Sequence, residues 1–248
     1  MLASAQSSTL LDELIDHAVG SIEAAELSNA PFPHLVFRDF FPRAFYRDLI
    51  RSFPEASFRP IAATDTHRTT VRLYGSHLLE LQRELQTLWG AVSGMLTSLQ
   101  VESAIRRRLQ AGLDIRARGD KVARAADLTM FAKPVIYRDT DGYQIKPHPD
   151  TRKKVVTMQL YCPDDDSQEK LGTTFYKFSP KGLLHPSSYC LEPVKTIPFL
   201  PNVGYAFVVL KSYHTLTQMS FHGRPKIATD KARVSILNTF YADANAEC

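Results

Sequence analysis

Beyond residue 127 the chain breaks into short runs rich in β-branched and aromatic residues: LTMFAKPVIYR, YQIKPH, VVTMQLY, GTTFYK, VKTIPFL, GYAFVVL and RVSILNTFY. The turn-forming stretches DTDG, PDDDSQ, SPKG and PN punctuate them. Strands this short, separated by turns rather than helices, do not build alternating βαβ units; they close on one another as a sandwich or barrel. The first 126 residues read differently. Leu10, Leu11, Leu14, Ile15 and Val19 recur at helical spacing, and a short apolar run at 35–37 precedes a helix expected around 43–53. From Ser76 to about Leu113 an apolar stripe through Leu78, Leu85, Trp89, Val92, Leu96 and Leu99 is again helical, and such a stripe is core. The fold class expected is α+β: a helical support layer (1–126) packed on a double-sheet barrel (127–248). With no linker and no internal repeat, 1–248 reads as a single domain.

At 248 residues the chain can bury a sizeable core. Its formal charge of +4 is too small to imply nucleic acid or a membrane surface. One basic stretch stands out, from Arg106, Arg107 and Arg108 through Arg116, Arg118 and Lys121 to Arg124. It reads as a solvated helix end and loop; it lacks the interleaved aromatics of a nucleic-acid platform, so nucleic acid is an unlikely partner. Cys162, Cys190 and Cys248 are an odd set without CxxC spacing, which points away from a disulfide framework and towards a reducing compartment. The N-terminal segment reads as an amphipathic helix rather than a signal peptide, and no apolar stretch is long enough to span a membrane. The expected location is cytoplasmic.

The chemistry begins at KPHPDTRKK, where His148 and Asp150 stand two residues apart. In extended chain such residues project to one side, placing an imidazole and a carboxylate at the same point. Two histidines further on, His214 and His222, are candidates for a third donor. Arg233 and Ser235 share one face of RVSILNTFY, and Thr157, Gln159 and Tyr161 share one face of VVTMQLY. A buried strand face carrying polar groups needs partners for them, and a ligand supplies them. Two imidazoles and one carboxylate form the facial triad that holds non-haem Fe(II) with open positions, and a buried arginine suits a dicarboxylic acid that also chelates iron.

In family order, HPD, VVTMQLY, LGTTFYK, PNVGYAFVVLKSYH and RVSILNTFY resemble the Fe(II)/2-oxoglutarate-dependent dioxygenases, specifically their prolyl-hydroxylase-like branch. The resemblance covers roughly residues 128–242, with a looser likeness at PFPHLVFRDFFP. It implies a double-stranded β-helix, that is, a distorted jelly roll. It also implies Fe(II), 2-oxoglutarate as cosubstrate and O2, with His148, Asp150 and a distal histidine as metal ligands. Arg233 and Ser235 would anchor the far carboxylate of 2-oxoglutarate, and Tyr161 matches the strand tyrosine that assists them. The family pattern through Asn202, Gly204 and Phe207 assigns the distal ligand to His214, leaving His222 beside the pocket. Thr157, Gln159, Tyr137 and Arg138 are possible pocket residues. His17, His34, His67, His77 and His185 show no ligand spacing and read as structural or surface residues, and Cys162 as a small buried hydrophobe.

The implied activity is hydroxylation of an unactivated C–H with release of succinate and CO2. Asp150 fills the place that related halogenases leave open for chloride. The substrate, a small molecule, amino acid, saccharide or peptide, would be selected by the helical layer and by the loops after Arg138 and between Lys177 and Val194. The competing reading is a cupin-like metal-binding barrel without oxygenase turnover.

Overall fold

The computed structural model describes residues 2–62, 67–179 and 190–246. His185, Cys248 and the middle of the expected selectivity loop, 180–189, lie outside the described residues. In the first half run α1 (Leu2–Ala24), β1 (Glu26–Ser28), β2 (His34–Phe37), α2 (Arg43–Arg51), β3 (Arg59–Pro60), β4 (Arg68–Arg72), α3 (Arg83–Leu96), α4 (Leu99–Arg108) and α5 (Gln110–Asp120). The second half carries β5 (Phe131–Asp139), β6 (Ile145–His148), β7 (Lys154–Tyr161), β8 (Thr173–Phe178), β9 (Leu191–Ile197), β10 (Gly204–Val208), β11 (Phe221–Arg224) and β12 (Arg233–Tyr241).

The strands form two antiparallel sheets, one ordered β1-β2-β10-β7-β12-β5-β4-β3 and the other β6-β11-β8-β9. This is the jelly-roll arrangement: the second half supplies the centre of the large sheet and all of the small one. The large sheet is widened by β1–β4 from the half expected to be mainly helical, and β4 pairs directly with β5. The long stripe from Ser76 to Leu113 is not one helix. Ser98 accepts a hydrogen bond from Val101 N at 3.3 Å and starts α4 afresh, as a serine at an N-cap does.

Period-two alternation sorts β7 into two faces. Val156, Met158 and Leu160 join the apolar cluster that contains Leu14 and Ile22 of α1, Trp89 and Val92 of α3, and Ile105 of α4. Tyr161 points the other way, into a second cluster with Phe175, Ile197, Phe199, Tyr205 and Phe207 between the sheets. Helices therefore cover one face of the large sheet, and the small sheet covers the other.

Part of the basic stretch is engaged within the fold, while Arg118 and Lys121 stay exposed as a solvated helix end would. Arg106 pairs with Glu102 at 2.7 Å, Arg107 with Glu23 at 2.6 Å and Arg124 with Asp127 at 2.8 Å. Arg116 is buried; it bonds Asp120 at 2.5 Å and donates to the carbonyls of Arg152, Lys154 and Val209 at 2.7–2.8 Å. It ties α5 to the turn between Asp150 and β7. Replacing it strips donors from a half-buried carboxylate and from three carbonyls, that of Val209 buried, so Arg116→Met is expected to cost about 1–3 kcal/mol. The shift in urea midpoint at unchanged slope measures this.

Candidate metal centre

The site lies where β6 and β11 run side by side. His148 precedes Pro149, a position biased towards extended backbone, and Asp150 follows on the same side. His222, in the middle of β11, is the direct cross-strand partner of His148. Their ring centroids stand 4.6 Å apart. One ligand atom from each of His148, Asp150 and His222 falls within 4.8 Å of the others. The close approach needs the residue after His222 to be glycine: a Cβ on Gly223 would meet Ile145 O at 2.8 Å and Pro147 N at 3.0 Å.

Both imidazoles are oriented by backbone. His148 Nδ1 lies 3.0 Å from Lys146 O, and His222 Nδ1 lies 3.0 Å from Ser220 O. A carbonyl can only accept, so each Nδ1 carries the hydrogen and each Nε2 is left to donate a lone pair. Burial pushes His222 down to about 4 against the opposing pull of Asp150, so its ring is neutral near pH 7. Asp150 is fixed at both oxygens, by Lys154 Nζ on Oδ1 and by Thr157 Oγ1 on Oδ2, each at 2.6 Å. Burial alone would raise its carboxyl, but Lys154, His222 and Thr157 together hold it well below the usual carboxylate range.

A cavity opens in front of these residues, walled by Tyr137, Thr157, Gln159, Tyr205 and Leu237 from the large sheet and by Thr173 and, beside His222, Arg224 from the small one. Tyr205 Oη donates to Gln159 Oε1 at 2.6 Å, and Gln159 Nε2 donates to Ser235 Oγ at 2.9 Å. Behind that wall lies Arg233, fully buried. Its Nε donates to Leu171 O at 3.0 Å and its Nη1 to Ser235 Oγ at 3.4 Å, and it stacks on Phe199 at 4.3 Å. Its Nη2 has no hydrogen-bond partner among the described residues. Burial, and then the nearby Arg224, lower the guanidinium to about 10, which leaves it charged at neutral pH. Tyr161 sits deeper still, its Oη accepting from Thr173 N at 3.1 Å.

Two expectations need correction. His214 does not join His148 and Asp150. β10 stops at Val208, and the chain turns so that His214 Nδ1 accepts from Lys211 N at 2.9 Å while Nε2 meets Asp120 Oδ1 at 3.1 Å. Both ring nitrogens are spent on α5 and its own turn, and His222 takes the position expected of it. Arg138 does not face the cavity either. It alternates with Tyr137 along β5, so it emerges on the opposite face, over the Phe58 ring at 3.9 Å and paired with Glu55. The residue reading missed Lys154, Arg68, Asp139, Arg224 and Tyr205. Tyr205 alone had a signal, since GYAFVV places it on one face with Phe207.

The sequence matches no protein-family model and no curated protein. Solved structures do match. A prolyl hydroxylase from Trichoplax adhaerens, in complex with a hypoxia inducible factor peptide fragment, is 11% identical, with 98% of this chain and 93% of that one covered and a TM-score of 0.50. HygX from Streptomyces hygroscopicus, with nickel, 2-oxoglutarate and hygromycin B bound, is 10% identical over 84% and 82% of the two chains, at 0.50. SnoN, a non-haem α-ketoglutarate-dependent epimerase from nogalamycin biosynthesis, is 12% identical over 91% and 81%, again at 0.50. Identities this low speak to architecture alone, and the architecture shared is the jelly roll.

Proposed function

We propose that this chain is an Fe(II)- and 2-oxoglutarate-dependent oxygenase that hydroxylates an unactivated C–H bond of a small-molecule or peptide substrate. The observation that carries the reading is the convergence of His148, Asp150 and His222, with both Nδ1 atoms tied to carbonyls and His222 Nε2 facing Asp150 Oδ2 at 3.9 Å. Two neutral nitrogens and one carboxylate oxygen suit Fe(II), and one face of the ion would remain for other ligands. When bound, iron and 2-oxoglutarate supply the oxidising chemistry, consuming O2 and releasing succinate and CO2.

The chain's own residues hold and orient. Lys154 and Thr157 keep Asp150 ionised and fix its rotation, which favours binding through one oxygen. Arg233, with an unpartnered Nη2 and Ser235 beside it, is the anchor we assign to the far carboxylate of 2-oxoglutarate. Tyr161 supports that arginine from below, its ring 5.1 Å away. Tyr137, Gln159 and Tyr205 shape the cavity and exclude water. Asp150 fills the carboxylate position, which favours hydroxylation over halogenation. Cys162 and Cys190 are free thiols, in keeping with a reducing, cytoplasmic setting.

Purified protein loaded with Fe(II) without oxygen is expected to develop a weak visible charge-transfer band when 2-oxoglutarate is added, and to form succinate slowly once air is admitted. A folded, metal-loaded protein that shows neither is not an oxygenase. Metal uptake without either signal would favour a metal-holding barrel.

A further inference from the structure

Three arginines converge on one buried aspartate beside the metal cavity. Asp139, at the end of β5, meets Arg68 Nε at 2.6 Å, Arg224 Nη2 at 2.6 Å and Arg233 Nη1 at 3.7 Å. One carboxylate does not neutralise three guanidinium groups, and an uncompensated buried charge is costly. The nearby Asp150 offers no relief, because its charge is already matched by Lys154. A bound Fe(II) adds positive charge, and the far carboxylate of 2-oxoglutarate offsets only one arginine.

The arginines are not equivalent. Arg233 stands behind the cavity wall, whereas Arg68 and Arg224 are part of it. Arg224 lies two residues beyond His222 on β11, on the same side of the strand. Its Nε and Nη1 are buried and make no hydrogen bond with any described residue. The ring of Tyr143 lies 4.4 Å from the Arg68 guanidinium and 5.0 Å from that of Arg224, holding both planes in place. Tyr137 lines this cavity and also a wider cleft on its far side, where Arg59, Thr70, Arg72, His77 and Glu80 form the walls. The Oγ1 of Thr70 is buried there without a hydrogen-bond partner among the described residues. Arg68, two residues before Thr70 on the same face of β4, therefore stands at the junction of cleft and cavity.

Resting on the oxygenase reading above, we propose that the substrate of this site carries a carboxylate, which reaches the cavity through the cleft past Tyr137 and is gripped by Arg224 and Arg68. Two forked donors converging from separate strands recognise a planar anion with fixed geometry. Asp139 holds them apart and oriented, and Arg233 stays with the cosubstrate. The substrate carbon presented to the metal then lies close to an acid group.

The test uses full-length protein loaded with redox-inert Zn(II) and N-oxalylglycine, an unreactive analogue of 2-oxoglutarate that occupies the cosubstrate place. Calorimetric titrations compare propionate, butyrate and benzoate with their primary amides. The wild type is expected to favour the carboxylates by about tenfold or more, as charged over neutral acceptors for arginine. In Arg224→Gln and in Arg68→Gln the preference should fall below about threefold, with N-oxalylglycine affinity changed by less than that. Each variant leaves Asp139 another arginine, and circular dichroism checks folding. Equal affinity for acid and amide in the wild type overturns the proposal, as does a preference that survives Arg224→Gln. Loss of N-oxalylglycine in Arg224→Gln also overturns it, by assigning that arginine to the cosubstrate. If the wild type holds neither Zn(II) nor N-oxalylglycine, the oxygenase reading fails on its own. The same acid and amide titration on metal-free protein then decides the anion site.

Discussion

His222→Ala is expected to lose Fe(II) affinity by more than about a hundredfold, while His214→Ala binds metal as the wild type does. Removing a group that merely orients a ligand costs 10–100-fold in typical sites, and removing one of only three protein donors costs more. His214→Ala instead breaks a part-buried pair with Asp120 and uncaps Lys211 N, so its effect is on folding, about 1–3 kcal/mol. The two variants thus separate by kind of damage as well as size. Metal titration of each, with a denaturation curve alongside, checks both. The reverse pattern, iron lost with His214 and kept without His222, would mean that β11 does not carry the third ligand.

Arg233→Ala is expected to weaken 2-oxoglutarate by on the order of 2–5 kcal/mol, the loss seen when one partner of a buried charge pair is truncated. Arg233→Lys should fall between alanine and wild type, because an ammonium keeps the charge but not the planar fork. Iron affinity should be little changed in both, since the guanidinium contacts none of His148, Asp150 and His222. Anaerobic titration of the Fe(II) protein with 2-oxoglutarate measures the loss directly. Near-normal affinity in Arg233→Ala would hand the carboxylate to Arg224. Lys231 does not compete for this role, because Asp164 and Asp165 engage it at 2.5 and 3.0 Å.

What was legible in the sequence was whatever alternation or a proline could write locally. VVTMQLY displays its two faces outright, and β7 folds with one towards the helices and one towards the cavity. RVSILNTFY does the same for Arg233 and Ser235. HPD fixes two donors within three residues. β11 was hidden because FHGR is too short to show a period; it is a strand only because β6 and β8 flank it. Nothing in the run from Gly204 to His214 marks where the strand ends, which is at Val208, six residues before the histidine expected as ligand. Arg138 was misread although period two alone forbids it from sharing a face with Tyr137. Arg68 had no local signal at all: its partner Asp139 lies 71 residues away. The helical stripe was legible as core, while the serine that splits it needed its cap geometry to be recognised.

The pairing of His222 with His148 also sets an order of assembly. His148 and Asp150 are neighbours on any emerging chain, but His222 follows 74 residues later and arrives only when β11 docks between β6 and β8. Until then the chain offers two donors on flexible backbone, a weak and indiscriminate site for any divalent ion. Long-range strand pairing of this kind is slow relative to helix formation. If the site holds metal as proposed, the complete donor set exists only in the closed protein and not in the nascent one.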